Sequence, residues 1–315
     1  TDIPYYYKKN KFGKVINTSI NKYVCVYIKK QNCLFKENYR LNYSKSENKN
    51  NLNLIQNDII RETLKIIKIN TPIYISSISD IPAHSGLGSS SAFTVGLIKA
   101  LYEFKNMKIS NINAAKLACE IEINRVKSPI GKQDQYATSI GGLNALYFKK
   151  NSDVIVQKLK KKKIINKIFD NSVFIWVGRP RKANTILKHQ NSRIRKNLKN
   201  LYLIKDLAKI LTNKIKKDKV TLNEIADLMN NNWSLKKNLS KKISSNNIHK
   251  IYNYALDCGS LGGKLLGAGG GGFLFLIVKK KEIKNFKKKM NHIFKKLKIM
   301  QFKHYENGSE ILMSL

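Results

Sequence analysis

Acidic residues are scarce in this chain: 20 Asp+Glu stand against 60 Lys+Arg, a formal net charge of +40 over 315 residues. So lopsided a balance raises nucleic acid or an anionic membrane as partner. Nearly all of the positive charge is Lys, however, and the chain is also crowded with Asn and Ile. These three share A/T-rich codons, so genomic base composition accounts for the bias. Arg, preferred for bidentate phosphate and base contacts, is sparse, and no motif interleaves aromatic with basic residues. Nucleic acid is therefore set aside as a partner. The runs at 158–163 (KLKKKK) and 279–289 (KKKEIKNFKKK) are expected to be solvated surface.

Cysteine is also rare. Cys25, Cys33, Cys119 and Cys258 lack CxxC spacing, which excludes a zinc ribbon or a disulfide scaffold and fits a reducing, cytoplasmic setting. Long apolar runs are missing too: the longest, 273–278 (FLFLIV), is strand-sized, so no membrane span is expected. No basic stretch followed by an apolar leader is expected within the residues from Thr1 onward.

With 42% hydrophobic residues, 315 positions suffice for two packed domains. The stretch 15–28 (VINTSINKYVCVYI) reads as strand, and 31–53 is polar and unassigned. Apolar spacing predicts helices over 54–67, 90–104 and 111–124, with a further onset at 133–139. Strands are expected at 71–77, 143–148, 172–178 and 273–278. Long Lys- and Asn-rich helices should fill 184–259, with a basic amphipathic helix at 281–297 and a terminal strand. A boundary near Asp170 gives domains 1–170 and 171–315. No repeat is visible.

Three features carry chemistry. The first is 82–92 (PAHSGLGSSSA), lying between a strand and a helix. Gly86 and Gly88 allow close backbone approach, and the helix start aims amide donors and dipole at an anion. It is not a Walker A loop, because Ser stands where Lys would. Ser89, Ser90 and Ser91 are placed to cap the helix or to ligate Mg2+ carried by a nucleotide; a Gly-rich turn with a Ser cap serves structure as readily. The second is 264–273 (KLLGAGGGGF), which reads either as a flexible loop or as backbone closing on a ligand. The third pairs Glu122 with 128–135 (SPIGKQDQ), where two carboxylates are placed to serve a metal and a hydroxyl.

Together these features resemble, in order and spacing, the GHMP kinases, the superfamily of galactokinase, homoserine kinase, mevalonate kinase and phosphomevalonate kinase. The matches are PxxxGLGSSA at 82–92, with one extra Ser, and the Lys-Leu-x-Gly-Ala-Gly-Gly-Gly run at 264–271. Finer matches at 1–4 (TDIP), 18–23 (TSINKY), 131–136 (GKQDQY), 141–144 (GGLN) and 306–309 (ENGS) resemble the branch acting on D-glycero-D-manno-heptose 7-phosphate.

The resemblance implies an α+β fold of two domains: an N-terminal one like domain 2 of ribosomal protein S5 and a C-terminal ferredoxin-like one, with the ATP site between them. It implies transfer from Mg-ATP to the anomeric hydroxyl, giving the 1,7-bisphosphate. A galactose- or fucose-type sugar 1-kinase and a catalytically impaired nucleotide- or sugar-binding homologue are the alternatives, and a homodimer stays open. Pro82, Ser85, Gly86, Leu87, Gly88, Ser89, Ser90 and Ser91 would wrap the ATP phosphates, with Ser90 and Glu122 the metal ligands. Asp134 would orient the attacking hydroxyl or accept its proton. Asp2 would hold sugar hydroxyls, and Gly267, Ala268, Gly269, Gly270 and Gly271 would close over the substrate. Lys22, Arg179 and Arg181 are the candidates for the sugar's own phosphate. Lys132, Lys264 and His84 have equally good structural readings. Family members carry a further strand upstream of the matched Thr-Asp, with a basic residue near the catalytic Asp, so that strand is expected to be missing here.

Overall fold

In a computed structural model of the protein, every residue is described except His84, residues 179–182 and Leu315, together with the side chains of 183 and 184. The first half of the chain runs α1 (Pro4–Lys9), β1 (Phe12–Thr18), β2 (Val24–Lys30), β3 (Tyr39–Asn42), β4 (Ser46–Lys49), α2 (Asp58–Ile67), β5 (Ile73–Ser79), α3 (Ser89–Phe104), α4 (Asn111–Cys119), α5 (Gln133–Ile140), β6 (Leu143–Lys149) and β7 (Val154–Lys158). There follow α6 (Lys162–Asp170), β8 (Ser172–Trp176), α7 (Ala183–Ser192), α8 (Leu198–Lys216), α9 (Leu222–Leu239), α10 (Asn246–Asp257), β9 (Gly262–Leu265), β10 (Phe273–Ile277), α11 (Ile283–Ile293) and β11 (Lys298–Met300).

These elements form two compact units that interleave along the chain. One comprises Thr1–Asn21, His84–Leu87 and Gly142–Glu306, the other Lys22–Ala83, Gly88–Gly141 and Asn307–Leu315. The first unit holds an antiparallel sheet of order β1-β6-β7 and a four-stranded antiparallel sheet of order β11-β8-β10-β9. Every residue of β10 (FLFLI) is buried, which explains its uninterrupted apolar run. Its cross-strand partners are aromatic in turn: Phe273 faces Trp176 with ring centres 5.0 Å apart, and Phe275 faces Phe174 at 5.0 Å. On α11 the apolar positions Ile283, Phe286 and Met290 turn inward while Lys284, Lys288 and Lys289 stay out.

The second unit is built on a mixed sheet of order β2-β5-β3-β4, in which β3 runs parallel to β5. Helix α2 starts because the Asn57 side chain accepts the Ile60 amide, and it buries Ile60, Thr63, Leu64 and Ile67, a helical stripe. These pack with Ile73 and Ile75 of β5 and with Val95, Leu97, Ile98 and Leu101 of α3. Each such side chain contributes about 1.5–3 kcal/mol by leaving water.

The single strand expected over 15–28 is two strands. β1 pairs with β6 and β2 with β5, in different sheets, and the chain turns between them where the Asn21 amide bonds the Lys303 carbonyl. The unassigned 31–53 stretch holds the β3–β4 hairpin. It is anchored by the buried Glu47 carboxylate, which accepts from the Tyr43 hydroxyl at 2.5 Å and from the Gln56 and Asn57 amides at 2.7 and 3.2 Å. The helix expected over 111–124 is regular only to Cys119. It continues as one wide π-helical turn over Glu120–Arg125, closed by the Val126 amide on the Ile121 carbonyl at 2.9 Å.

Candidate active site

Helix α3 begins without a side-chain cap, although three serines open it. Its N-cap is Gly88 in the left-handed conformation (φ 75°), and no acidic residue lies in its first turn. Asn57, Ser110, Thr221 and Ser245 cap α2, α4, α9 and α10 with their side chains, whereas α1, α5, α6, α8 and α11 begin without one as α3 does. The start of α3 thus keeps its dipole and amide donors available to an anion.

What Ser90 and Ser91 do instead is bind a carboxylate. Glu122, on the π turn, is 1% exposed and accepts from Ser90 Oγ on Oε1 at 2.8 Å and from Ser91 Oγ on Oε2 at 2.8 Å. Gln135 Nε2 donates to the same Oε2 at 2.6 Å. Burial pushes the Glu122 carboxyl above the ordinary carboxylate range; the three hydrogen bonds pull the other way, and the neighbouring charge of Asp134 adds to the rise. Ser90 is exposed and Ser91 buried, so the Ser90 Oγ and Glu122 Oε1 pair forms the outward side of this cluster. A buried carboxylate next to an accessible hydroxyl fits Mg2+, because a cation would relieve the cost of the charge. Among the described residues no three of His, Cys, Asp and Glu gather as a metal cage. One hydroxyl and one carboxylate are nevertheless the kind of set Mg2+ uses when nucleotide phosphates complete its coordination.

Asp134 stands in the first turn of α5, half-buried, with Gln133 Nε2 donating to Oδ1 at 3.1 Å. Its carboxyl lies over Gly88: a Cβ there would meet Asp134 Cγ at 3.4 Å and Oδ2 at 3.7 Å. Glycine at 88 answers its positive φ, while a Cβ there would only touch the acid at van der Waals distance. The start of α3, the Ser90–Glu122 pair and Asp134 come together in one unit.

The far end of α5 is pinned by the end of the chain. A Cβ on Gly141 (φ +70°) would fall 2.1 Å from the Asn307 carbonyl, and one on Gly308 1.9 Å from the Ser139 oxygen. The Ser309 amide bonds the Ser139 carbonyl at 3.2 Å, and Lys99 Nζ ties the Ser309 carbonyl at 2.9 Å to Asn111 Oδ1 at 2.8 Å. The motifs at 141–144 and 306–309, far apart in sequence, thus meet at the helix that carries Asp134.

In the other unit the glycine run closes on residues 85–86, backbone against backbone. A Cβ on Gly267 (φ +63°) would lie 2.5 Å from Gly86 Cα, and one on Gly272 2.2 Å from the Ser85 carbonyl. Ser85 is buried, and its hydroxyl has no hydrogen-bond partner among the described residues. Lys236 Nζ holds the Gly267 carbonyl at 2.5 Å and the Leu265 carbonyl at 3.3 Å. Asp2 is half-buried. Burial lowers the Lys264 ammonium to about 8, and it donates to Asn232 Oδ1 at 2.8 Å.

Pro82 is exposed, Leu87 half-buried and Lys22 exposed in the turn between β1 and β2, while Lys132 is the N-cap residue of α5. Ala268, Gly269, Gly270 and Gly271 complete the loop between β9 and β10. Arg179, Arg181 and His84 lie outside the described residues. Sequence reasoning missed Gln135, which has no signal beyond its place after Asp134, and Lys236, one lysine among many on a basic helix.

No helix among the described residues is long and apolar enough to cross a membrane. Comparison with known proteins yields two family models, the GHMP kinases N terminal domain over residues 53–142 and GHMP kinases C terminal over 203–296. A D-glycero-alpha-D-manno-heptose 7-phosphate kinase of Campylobacter jejuni is 34% identical over 88% of this chain and 85% of its own length. Among solved structures, a D-glycero-D-manno-heptose 1-phosphate kinase from Bacteriodes thetaiotaomicron superposes with TM-score 0.76 at 23% identity, covering 99% of this chain and 94% of that one. A Lactococcus lactis galactokinase complexed with galactose gives TM-score 0.76 at 15% identity, over 98% and 92%. With its two-domain fold of mixed helix and sheet and both family models matched, the chain belongs to the GHMP kinases and is a kinase, a phosphotransferase.

Proposed function

We propose that the protein phosphorylates D-glycero-D-manno-heptose 7-phosphate at its anomeric hydroxyl, using Mg-ATP and forming the 1,7-bisphosphate and ADP. The observation that carries this reading is the meeting of an uncapped helix N-terminus, the Ser90–Glu122 pair and the Asp134 carboxyl within one unit. The choice of sugar is supported by the 34% identity to a heptose 7-phosphate kinase.

The first-turn amides of α3 receive nucleotide phosphate oxygens at the positive end of the helix dipole. Ser90 and Glu122 would hold Mg2+, which would neutralise charge on the nucleotide phosphates. Asp134 accepts a hydrogen bond from the sugar's anomeric hydroxyl, orients it for in-line attack and takes its proton as the O–P bond forms. Gly267 lets the loop after β9 lie against Gly86, backbone to backbone. Asp2 binds sugar hydroxyls. Lys22, Arg179 and Arg181 are the cations for the remote phosphate. The reaction is assigned to the reducing cytoplasm, in keeping with four cysteines that are all free thiols.

The test is ADP release with Mg-ATP and the heptose 7-phosphate, beside free heptose, galactose and fucose. Turnover confined to the 7-phosphate supports the reading. Turnover of an unphosphorylated sugar replaces it with a galactose- or fucose-type kinase, and nucleotide binding without turnover of any sugar makes the chain an impaired homologue.

A further inference from the structure

We propose that Gln135 is a positioning residue, whose side-chain amide turns the Glu122 carboxylate so that Oε1 faces the cation. The proposal rests on the reading of Ser90 and Glu122 as cation ligands. Glu122 Oε2 receives two donors, Ser91 Oγ at 2.8 Å and Gln135 Nε2 at 2.6 Å, both from buried residues. Oε1 receives one, from Ser90, at the exposed edge. A carboxylate rotates about its terminal bond with little resistance. Two donors fixed on one oxygen stop that rotation and leave the other oxygen to bind outward.

The amide orientation follows from the partner: an ionised carboxylate only accepts, so the NH2 group must face it. The other end of the amide is informative. Gln135 is 0% exposed, and its Oε1 has no hydrogen-bond partner among the described residues. Burying an unmet carbonyl costs stability, and Leu or Met would fill the same space without that cost. What the amide adds over those residues is the donation to Glu122. Because Gln135 directly follows Asp134 in the first turn of α5, one turn of helix carries both the acid and the group that aims the metal carboxylate. The position of α5 thus sets proton acceptance and cation geometry together. Donors behind a metal ligand govern metal affinity in this way, with losses of about 10- to 100-fold on removal.

The test measures how much Mn2+ tightens binding of a non-hydrolysable ATP analogue to the full chain, by calorimetry with and without EDTA. In the wild type Mn2+ tightens binding, and Glu122→Gln abolishes that gain. Gln135→Met is expected to lose about 10- to 100-fold of it, with unchanged affinity for the metal-free analogue and a kcat that recovers at high Mg2+. Should Gln135→Met fail to fold, Gln135→Asn, which keeps the amide but withdraws it by one methylene, is expected to show the same loss. A full Mn2+ gain in the folded variant, with or without a lowered Tm, overturns the proposal and leaves Glu122 as a ligand. A wild type with no Mn2+ gain, or a Glu122→Gln protein that keeps it, overturns the underlying reading instead.

Discussion

Glu122→Gln is expected to separate stability from function. In the metal-free protein the substitution keeps the hydrogen bonds. The new carbonyl oxygen faces Ser91 and Gln135, and the new NH2 faces the exposed Ser90 hydroxyl, which turns to accept. It also removes a charge that burial makes costly, since the carboxyl is 1% exposed and its pKa is raised by desolvation. Metal-free stability should therefore lie within about 1 kcal/mol of wild type or above it.

The pH dependence has a definite sign. A carboxyl with a raised folded pKa contributes stability that is present below its unfolded value and lost as pH rises through the folded one. The wild type should thus weaken from the ordinary carboxylate range upward to that raised value, and the variant should lack this slope. Adding Mg2+ and an ATP analogue at about 100 times Kd stabilises a binding-competent chain by about 2.7 kcal/mol. An unfolding entropy of about 2 cal/mol/K per residue over 315 residues turns this into a rise in Tm of about 4 °C for the wild type. For Glu122→Gln the Mg2+-dependent part of that rise should vanish. Differential scanning fluorimetry across pH, with and without Mg2+, reads both effects. A metal-free Tm lowered by 4 °C or more, or a Mg2+-dependent rise equal to that of wild type, would refute the reasoning.

Asp134→Asn preserves the acceptor for Gln133 Nε2 and should lower kcat about 10²- to 10⁴-fold with nucleotide affinity unchanged, as single-turnover kinetics and calorimetry will show. Gly141→Ala forces a Cβ to within 2.1 Å of the Asn307 carbonyl at φ +70°. It should cost about 1–3 kcal/mol in denaturant unfolding and reduce turnover by shifting α5. Gly259→Ala, at φ +104° with nothing within 4 Å, should cost only the backbone strain, about 1–3 kcal/mol, and leave turnover intact. At Glu47 burial raises the pKa, but the hydrogen bonds from Tyr43, Gln56 and Asn57 outweigh it and the net value is lowered. Its stabilisation is therefore present above the ordinary carboxylate range and is lost as pH falls through the lowered value. Glu47→Gln should cost about 1–3 kcal/mol near neutral pH and flatten that acid limb in urea titrations.

The parts of the fold legible in sequence are those in which one physical demand dominates. The glycines and serines of 82–92 placed a loop before α3, helical spacing of Ile283, Phe286 and Met290 defined α11, and the apolar run of β10 marked a strand covered on both faces. Where composition runs on unchanged across a boundary, the boundary was invisible. β1 and β2 share one β-branched texture yet join different sheets, and the β3–β4 hairpin is held by one buried carboxylate in an otherwise polar stretch. At the candidate site, the residue types at 90, 122 and 134 raised the chemistry. The wide turn that carries Glu122, the donation from Gln135 and the hold of Lys236 on Gly267 arise from tertiary contact and leave no local pattern.

The most direct test of the central claim is ³¹P NMR of the protein incubated with Mg-ATP and D-glycero-D-manno-heptose 7-phosphate. The account predicts a new anomeric phosphomonoester resonance growing beside an unchanged 7-phosphate signal, with ADP formed in equal amount and no product from Asp134→Asn on the same timescale. A phosphoryl group arriving at any other position, or equal product from Asp134→Asn, would contradict it.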